Sequence, residues 1–207
     1  MKKILILVLF VVPVMTLAQR FNGGALLGIC ASQVDGDTYA GFDKVGLQGG
    51  VFVNTKFTKA WGAQMEIKYN AKGARKKTSK DDPETYSLTL HYIDLPLMIN
   101  FTIQDKFIID AGFVPGYLFA KKGEENGIKF SDEEIKAFKK VDLSWLLGLN
   151  YKITDNFIVN IRYSYSLFSI RDYENVDANY GIIARIFGYT NGDYNNFLTM
   201  GIYYQFD

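Results

Sequence analysis

The chain has 207 residues, with 23 basic and 22 acidic side chains, one histidine, one cysteine and 15% aromatics. A balance this close to neutral excludes an electrostatic nucleic-acid binder, which needs a strong basic excess. The lone Cys30 excludes an internal disulfide framework.

At the N-terminus, MKKILILVLFVVPVMTLAQ sets Lys2 and Lys3 before an apolar run from Ile4 to Val14, with small Thr16 and Ala18 just ahead of Gln19. This is the order of a secretory leader, expected to be cut after Ala18. As a helix the run is too short for a bilayer of ~30 Å, and Pro13 interrupts it. No linker or low-complexity tract divides the rest, so the expected organisation is a leader over 1–18 and one exported domain over 19–207. Cys30 is no lipoprotein anchor, because Ile29 stands where a small residue is needed.

From Phe21 onward the chain alternates between two chemistries with a period of two, the signature of β-strands with opposite faces. Eight such segments are expected, at about 21–34, 44–58, 60–74, 86–103, 106–121, 140–154, 156–170 and 194–206. In the second, Val45, Leu47, Val51, Val53 and Phe57 oppose Gln48, Asn54 and Lys56. In the third, AWGAQMEIKYNAKGA, Trp61, Ala63, Met65, Ile67, Tyr69 and Ala71 oppose Gln64, Glu66, Lys68, Asn70 and Lys72. The sixth sets Val141 to Ile153 against Asp142, Ser144, Gly148, Asn150 and Lys152, and the seventh sets Phe157 to Leu167 against Asn160, Arg162, Ser164 and Ser166.

The joins at Thr58 to Ala60, Gln104 to Asp105 and Thr154 to Asp155 are tight, whereas those near 35–43, 75–85, 122–139 and 171–193 are long and polar. Alternating short periplasmic turns and long outer loops define an all-β, eight-stranded antiparallel up-and-down transmembrane β-barrel. Its apolar face meets lipid and its charged face lines the lumen. Aromatic girdles are expected from Phe57, Trp61, Phe101, Phe107, Phe157 and Phe206 at the tight-turn end and from Tyr86, Tyr117, Phe119 and Tyr165 nearer the loops. A lipocalin-like soluble barrel, the rival eight-stranded fold, would put the greasy face inside.

The fourth segment, YSLTLHYIDLPLMINFTI, breaks phase: Leu88, Leu90 and Tyr92 share one parity, and Leu95, Leu97, Ile99, Phe101 and Ile103 the other. A β-bulge near Ile93 and Asp94 would turn both halves to lipid, with Pro96 at an unpaired position. Inner-face parity then gathers a luminal charge network of Glu66, Lys68, Asp110 and Arg162, joined through the bulge by Asp94. Inner-face glycines such as Gly28, Gly112, Gly148 and Gly201 leave room in so narrow a barrel.

YIDLPL, from Tyr92, resembles the Tyr-Leu-Glu-Ile-Pro-Leu motif of the PorT-type outer-membrane β-barrel family, and YNAKGA, from Tyr69, its Tyr-Ser-x-Lys-Gly strand end. FNGGALLGICAS and KVGLQGGVF are similar to its first two strands. The likeness runs over nearly the whole exported chain and departs at the C-terminus, where Asp207 follows the aromatic Phe206. It implies an outer-membrane location and no defined activity.

No catalytic, cofactor or metal site is expected. His91 is the only histidine, and Ser87 lies too far along the strand to pair with it, so His91 reads as an inner-face polar residue and the chain as no enzyme. The acids of DGDTYAGFD lack EF-hand spacing. SDEEIKAFKK carries a Ser-x-x-Glu capping box for a short loop helix with Ile135 and Phe138 on one side, and the basic RKKTSK lies at a loop end. The expected partners are outer-membrane lipids and lipopolysaccharide, the barrel-assembly machinery and an unidentified loop ligand, with a monomeric barrel. A narrow channel, a lipid-modifying enzyme and a soluble carrier are the alternatives.

Overall fold

The computed structural model describes residues 21–37, 39, 41–77, 83–172 and 192–206. The leader, most of the 171–193 loop, the end of the basic run at 78–80 and Asp207 lie outside them. The strands are β1 (Phe21–Asp35), β2 (Lys44–Lys56), β3 (Trp61–Lys76), β4 (Tyr86–Asp94), β5 (Leu97–Ile103), β6 (Phe107–Glu125), β7 (Ile128–Lys129), β8 (Val141–Lys152), β9 (Phe157–Ser166) and β10 (Tyr194–Gln205). A five-residue helix, α1, spans Asp132–Lys136. All pairings are antiparallel, and β1 bonds to both β2 and β10, so the sheet closes into a ring. β4 and β5 share the fourth of eight wall positions, and β7 only extends β6 into an outer hairpin. Closure is what a membrane demands, because a free strand edge would strand N–H and C=O groups in hydrocarbon.

The alternation sorts residues by chemistry in the reverse of a soluble protein. Leu47 is 64% exposed and Ile67 52%, while Glu66 next to Ile67 is 1% exposed and Arg162 2%. An apolar wall outside and charges inside fit lipid around the barrel, not water, and rule out the soluble lipocalin arrangement. The tight turns carry their own instructions. In both FTKAW and ITDNF a threonine hydroxyl caps the turn, Thr58 Oγ1 accepting from Trp61 N at 3.0 Å and Thr154 Oγ1 from Phe157 N at 3.0 Å. Gln104 and Asp105 both adopt positive φ, 50° and 57°, as the central residues of a turn in which Lys106 N donates to Ile103 O at 3.3 Å, and three residues join Ile103 to its partner Phe107. Above them, Trp61 packs on Phe101 at 4.8 Å, Phe107 on Tyr151 at 5.1 Å and Phe157 on Tyr204 at 5.0 Å, forming the girdle at this end.

Two expectations fail at the other end. β4 does not change phase: Tyr86, Leu88, Leu90, Tyr92 and Asp94 all point inward and are buried, and so do Met98 and Asn100 on β5. No bulge lies at Ile93 and Asp94. The wall instead breaks at Leu95 and Pro96 without losing its bonds, since Leu95 N donates to Pro115 O at 2.8 Å and Pro96 O accepts from Glu66 N at 3.0 Å. The bulge lies across the seam in β6, where His91 faces Ala120 and Tyr92 faces Leu118, leaving Phe119 as the extra residue. Tyr86 and Tyr165 are likewise buried and form no part of an outer girdle, which Tyr117 and Phe119 still supply.

The reason is length. β3 has 16 residues and β6 has 19, well beyond the ~9 to 11 that cross a tilted membrane wall. The surplus stands in water at the long-loop end, where the polarity rule reverts: Ser87 and Thr89 face out, and Leu88 and Leu90 face a dry core. That core joins Val34, Ala74, Tyr86, Leu88, Leu90, Tyr92 and Leu118 to Phe138 and Ile170 from the loops. α1 lies just ahead of Phe138 in the chain. Its capping box is formed, with Ser131 N donating to Glu134 Oε2 at 2.7 Å and Glu134 N donating to Ser131 Oγ at 3.3 Å.

Candidate functional site

The lumen is built in layers, each set by which inward positions of a sheared barrel come level. Nearest the tight turns, Arg162 of β9 is the hub. Its Nη1 donates to Glu66 Oε1 at 2.7 Å and to the Tyr203 hydroxyl at 2.8 Å, while Nε and Nη2 both reach Asp110 Oδ2, at 2.9 and 2.7 Å. The planar guanidinium thus ties β3, β6 and β10 to β9, a task that suits arginine and no other side chain. Asn100 Nδ2 donates to Asp110 Oδ1 at 2.6 Å, and Lys68 Nζ sits 3.6 Å from Glu66 Oε2 and 2.9 Å from Gln48 Oε1. Gly148 makes the space: a Cβ there would come within 2.5 Å of Arg162 Cγ.

Asp94 belongs to a second layer. Lys72, fully buried, lies 3.0 Å from Asp94 Oδ1 and 3.7 Å from Asp142 Oδ2, with the rings of Tyr92 and Phe197 at 4.4 and 4.3 Å on its flanks. Asn70 donates to Asp94, and Ser144, Ser166 and Asn195 donate to Asp142. Of the five residues expected in one network, four share the Arg162 layer and Asp94 does not. Lys72 and Asp142 are the charges that completed the second layer without being singled out, although both have inner-face parity. Above Lys72 lies the apolar core already described.

His91 points outward, correcting the inner-face expectation. Its Nδ1 is 2.7 Å from the Tyr69 hydroxyl, and Phe119 packs nearby, with ring centroids 6.1 Å apart. Its neighbours on the outer wall are thus a tyrosine and a phenylalanine. Among the described residues no group of histidine, cysteine, aspartate or glutamate is arranged to hold a metal.

At the loop end, Asp37 Oδ1 accepts from Tyr39 N at 2.9 Å, while Oδ2 is buried without a hydrogen bond. Burial first, and then the neighbouring Asp193 and Asp35 carboxylates, push the Asp37 carboxyl up to about 8, against the opposing pull of Tyr39 N–H and Arg171. The folded state therefore holds a proton that the unfolded chain gives up at ordinary carboxylate pH. This contribution favours folding most in acid, is lost as pH rises from about 4 to about 8, and changes no further above that. Unfolding measured from pH 5 to 9 should show a decline that Asp37→Asn flattens; equal slopes would mean that Asp37 is charged throughout.

Fold and lumen together define an eight-stranded transmembrane barrel of the outer-membrane type, with paired charges and an apolar cluster inside it. A family model described as outer membrane protein beta-barrel domain matches residues 17–172, and the chain belongs to that family. It is a protein of the bacterial outer membrane. The fold is similar to that of Ail, the attachment invasion locus protein of Yersinia pestis, solved in complex with the heparin analogue sucrose octasulfate, at 16% identity and a TM-score of 0.51 over 90% of this chain and 99% of that one. Neisserial surface protein A is similar at 12% identity and a TM-score of 0.49, over 90% of this chain and 97% of that one. No curated protein matches the chain in sequence.

Proposed function

We propose that the protein is a non-conducting, monomeric structural and binding barrel of PorT type, exported with a leader cut after Ala18, inserted by the barrel-assembly machinery and seated among outer-membrane lipids and lipopolysaccharide. The outer loops carry its binding function, and no catalysis is assigned. One observation carries this reading: the stacked closure of the lumen, in which Lys72, Leu88, Leu90 and Tyr92 are fully buried one above another over the Arg162 cluster. A conducting pore needs a continuous wet path, and burying paired charges under an apolar cap removes it. The motifs YIDLPL and YNAKGA support the PorT-type placement, and the tyrosine partner of His91 speaks against acyl-transfer chemistry.

Planar-bilayer recording and liposome swelling test this. The wild-type barrel should give no sustained single-channel current and no swelling with small sugars. A stable ohmic conductance would establish the narrow-channel alternative.

A further inference from the structure

The lipid-facing wall is not evenly convex. Towards the tight-turn end an apolar groove of about 960 Å³ runs across β3, β5 and β6. Its low points are Ala63 and Ala111, which flank Ile99 in one hydrogen-bonded row. Trp61, Phe101 and Ile109 rise on the tight-turn side of that row, and Met65, Leu97 and Phe113 on the other. Strands of such barrels tilt by ~35–45°, so a groove that crosses them is inclined to the membrane normal. Charge gathers just below it. The turn from β2 to β3 carries Lys59 and the turn from β5 to β6 carries Lys106, both exposed. Both are tied to the groove edge through β5, because Thr102 N donates to Ala60 O at 2.8 Å and Lys106 N to Ile103 O at 3.3 Å. Lys56 and Lys152 stand at the neighbouring strand ends. Against these four lysines the same rim holds two acids, Asp105 and Asp155, and none of the six makes an ion pair within 4 Å among the described residues. The groove thus offers exposed apolar side chains along its length and an unneutralised positive edge at one side.

We propose that this groove is a binding site for an anionic phospholipid of the periplasmic leaflet, with one acyl chain lying over Ala63 and Ala111 and the phosphate held between Lys59 and Lys106. The tight turns of outer-membrane barrels face the periplasm, which places the positive edge at the headgroups and the groove among the acyl chains. Lys59 and Lys106 stand on either side of β5, about 10 Å apart at two strand spacings, a gap that two long, flexible side chains close on one phosphate. A second copy of the chain fits less well. Protein packing within membranes relies on small residues that let backbones approach, and Ile99, 48% exposed, interrupts the pair of alanines. A flexible acyl chain can bend past it. The proposal rests on the seat among outer-membrane lipids but not on whether the lumen conducts, so bilayer recording and the measurement below fail separately.

The chain's two tryptophans, Trp61 and Trp145, both line the groove, so their fluorescence reports which lipid occupies it. The test is quenching of the full barrel in phosphatidylcholine vesicles by phospholipids with brominated acyl chains. Brominated phosphatidylglycerol should compete for the groove about fivefold better than brominated phosphatidylcholine, and the preference should shrink at high salt. Lys59→Gln with Lys106→Gln should abolish the preference, and so should Ala63→Phe with Ala111→Phe, which fills the low points. Lys122→Gln at the opposite end should leave it unchanged. Equal quenching by the two lipids in the wild-type barrel, or a preference that survives the paired lysine change, would overturn the site while leaving the membrane seat intact. Quenching by neither lipid would overturn both. Quenching that weakens as the protein-to-lipid ratio rises would put a second copy in the groove and overturn the lipid assignment. Because the main comparison uses the wild-type barrel, the outcome does not depend on the variants folding.

Discussion

Arg162→Ala is expected to lower unfolding stability by about 3 to 5 kcal/mol, the usual cost of removing one partner from a buried, hydrogen-bonded ion pair. The loss comes mainly from what is left behind. Glu66 keeps Lys68 at 3.6 Å and Gln64 at 2.8 Å, but among the described residues Asp110 has no second cation within 4 Å and retains only Asn100. Rescue should therefore be unequal: adding Asp110→Asn should recover more of the loss than adding Glu66→Gln. Denaturant unfolding in lipid vesicles, followed through Trp61 and Trp145, gives both double-mutant cycles. Additive effects for both pairs would mean that the cluster is solvated and contributes nothing as a unit.

The second large effect is expected at Lys72. Lys72→Met keeps the length of the side chain and most of its contact with the Tyr92 and Phe197 rings, but it removes the cation that, among the described residues, lies between Asp94 and Asp142. Two carboxylates with no exposure to water would face each other across the lumen, at a cost again of about 3 to 5 kcal/mol. The same change at exposed Lys122 should stay within about 0.5 kcal/mol. A Lys72→Met barrel as stable as the wild type would show that water reaches this layer. Arg162 and Lys72 belong to separate clusters, so their effects should add more nearly than those of Arg162 and Asp110.

The eight wall segments were legible because a period of two persists through every strand, and the tight turns were legible from their position between such segments. Periodicity reports that a strand has two faces but not what lies beyond each of them. Reading apolar as lipid-facing worked from Trp61 to Tyr69 and failed at Leu88, Leu90 and Tyr92, where the strand has left the membrane and the dry side is the inside. That single assumption generated the expected bulge at Asp94, although unbroken parity from Tyr86 would have put Asp94 in the lumen without one. The real bulge at Phe119 breaks no alternation that a reader could weigh, because Phe119 and Ala120 both suit an outer wall. Lys72 and Asp142 carried the right parity as well. What the sequence did not contain was the stagger between β3 and β8, which decides the inward residues that stand at one height.

The dry cap also bears on how the loops can change. Phe138 and Ile170 are the loop residues buried deepest in it, and Lys139 N donates to Ile170 O at 2.7 Å, so two outer loops meet above the barrel and close it jointly. Sequence drift in either loop is then free between such anchors and confined at them: insertions on the solvent side of Phe138 extend the surface, while replacement of Phe138 itself opens the end of the barrel. A loop grafted from another barrel would keep this one shut only if it brought an aromatic or branched apolar residue to the same height. The loop end of the barrel is therefore free to change between a few greasy tether points that no external ligand need ever touch.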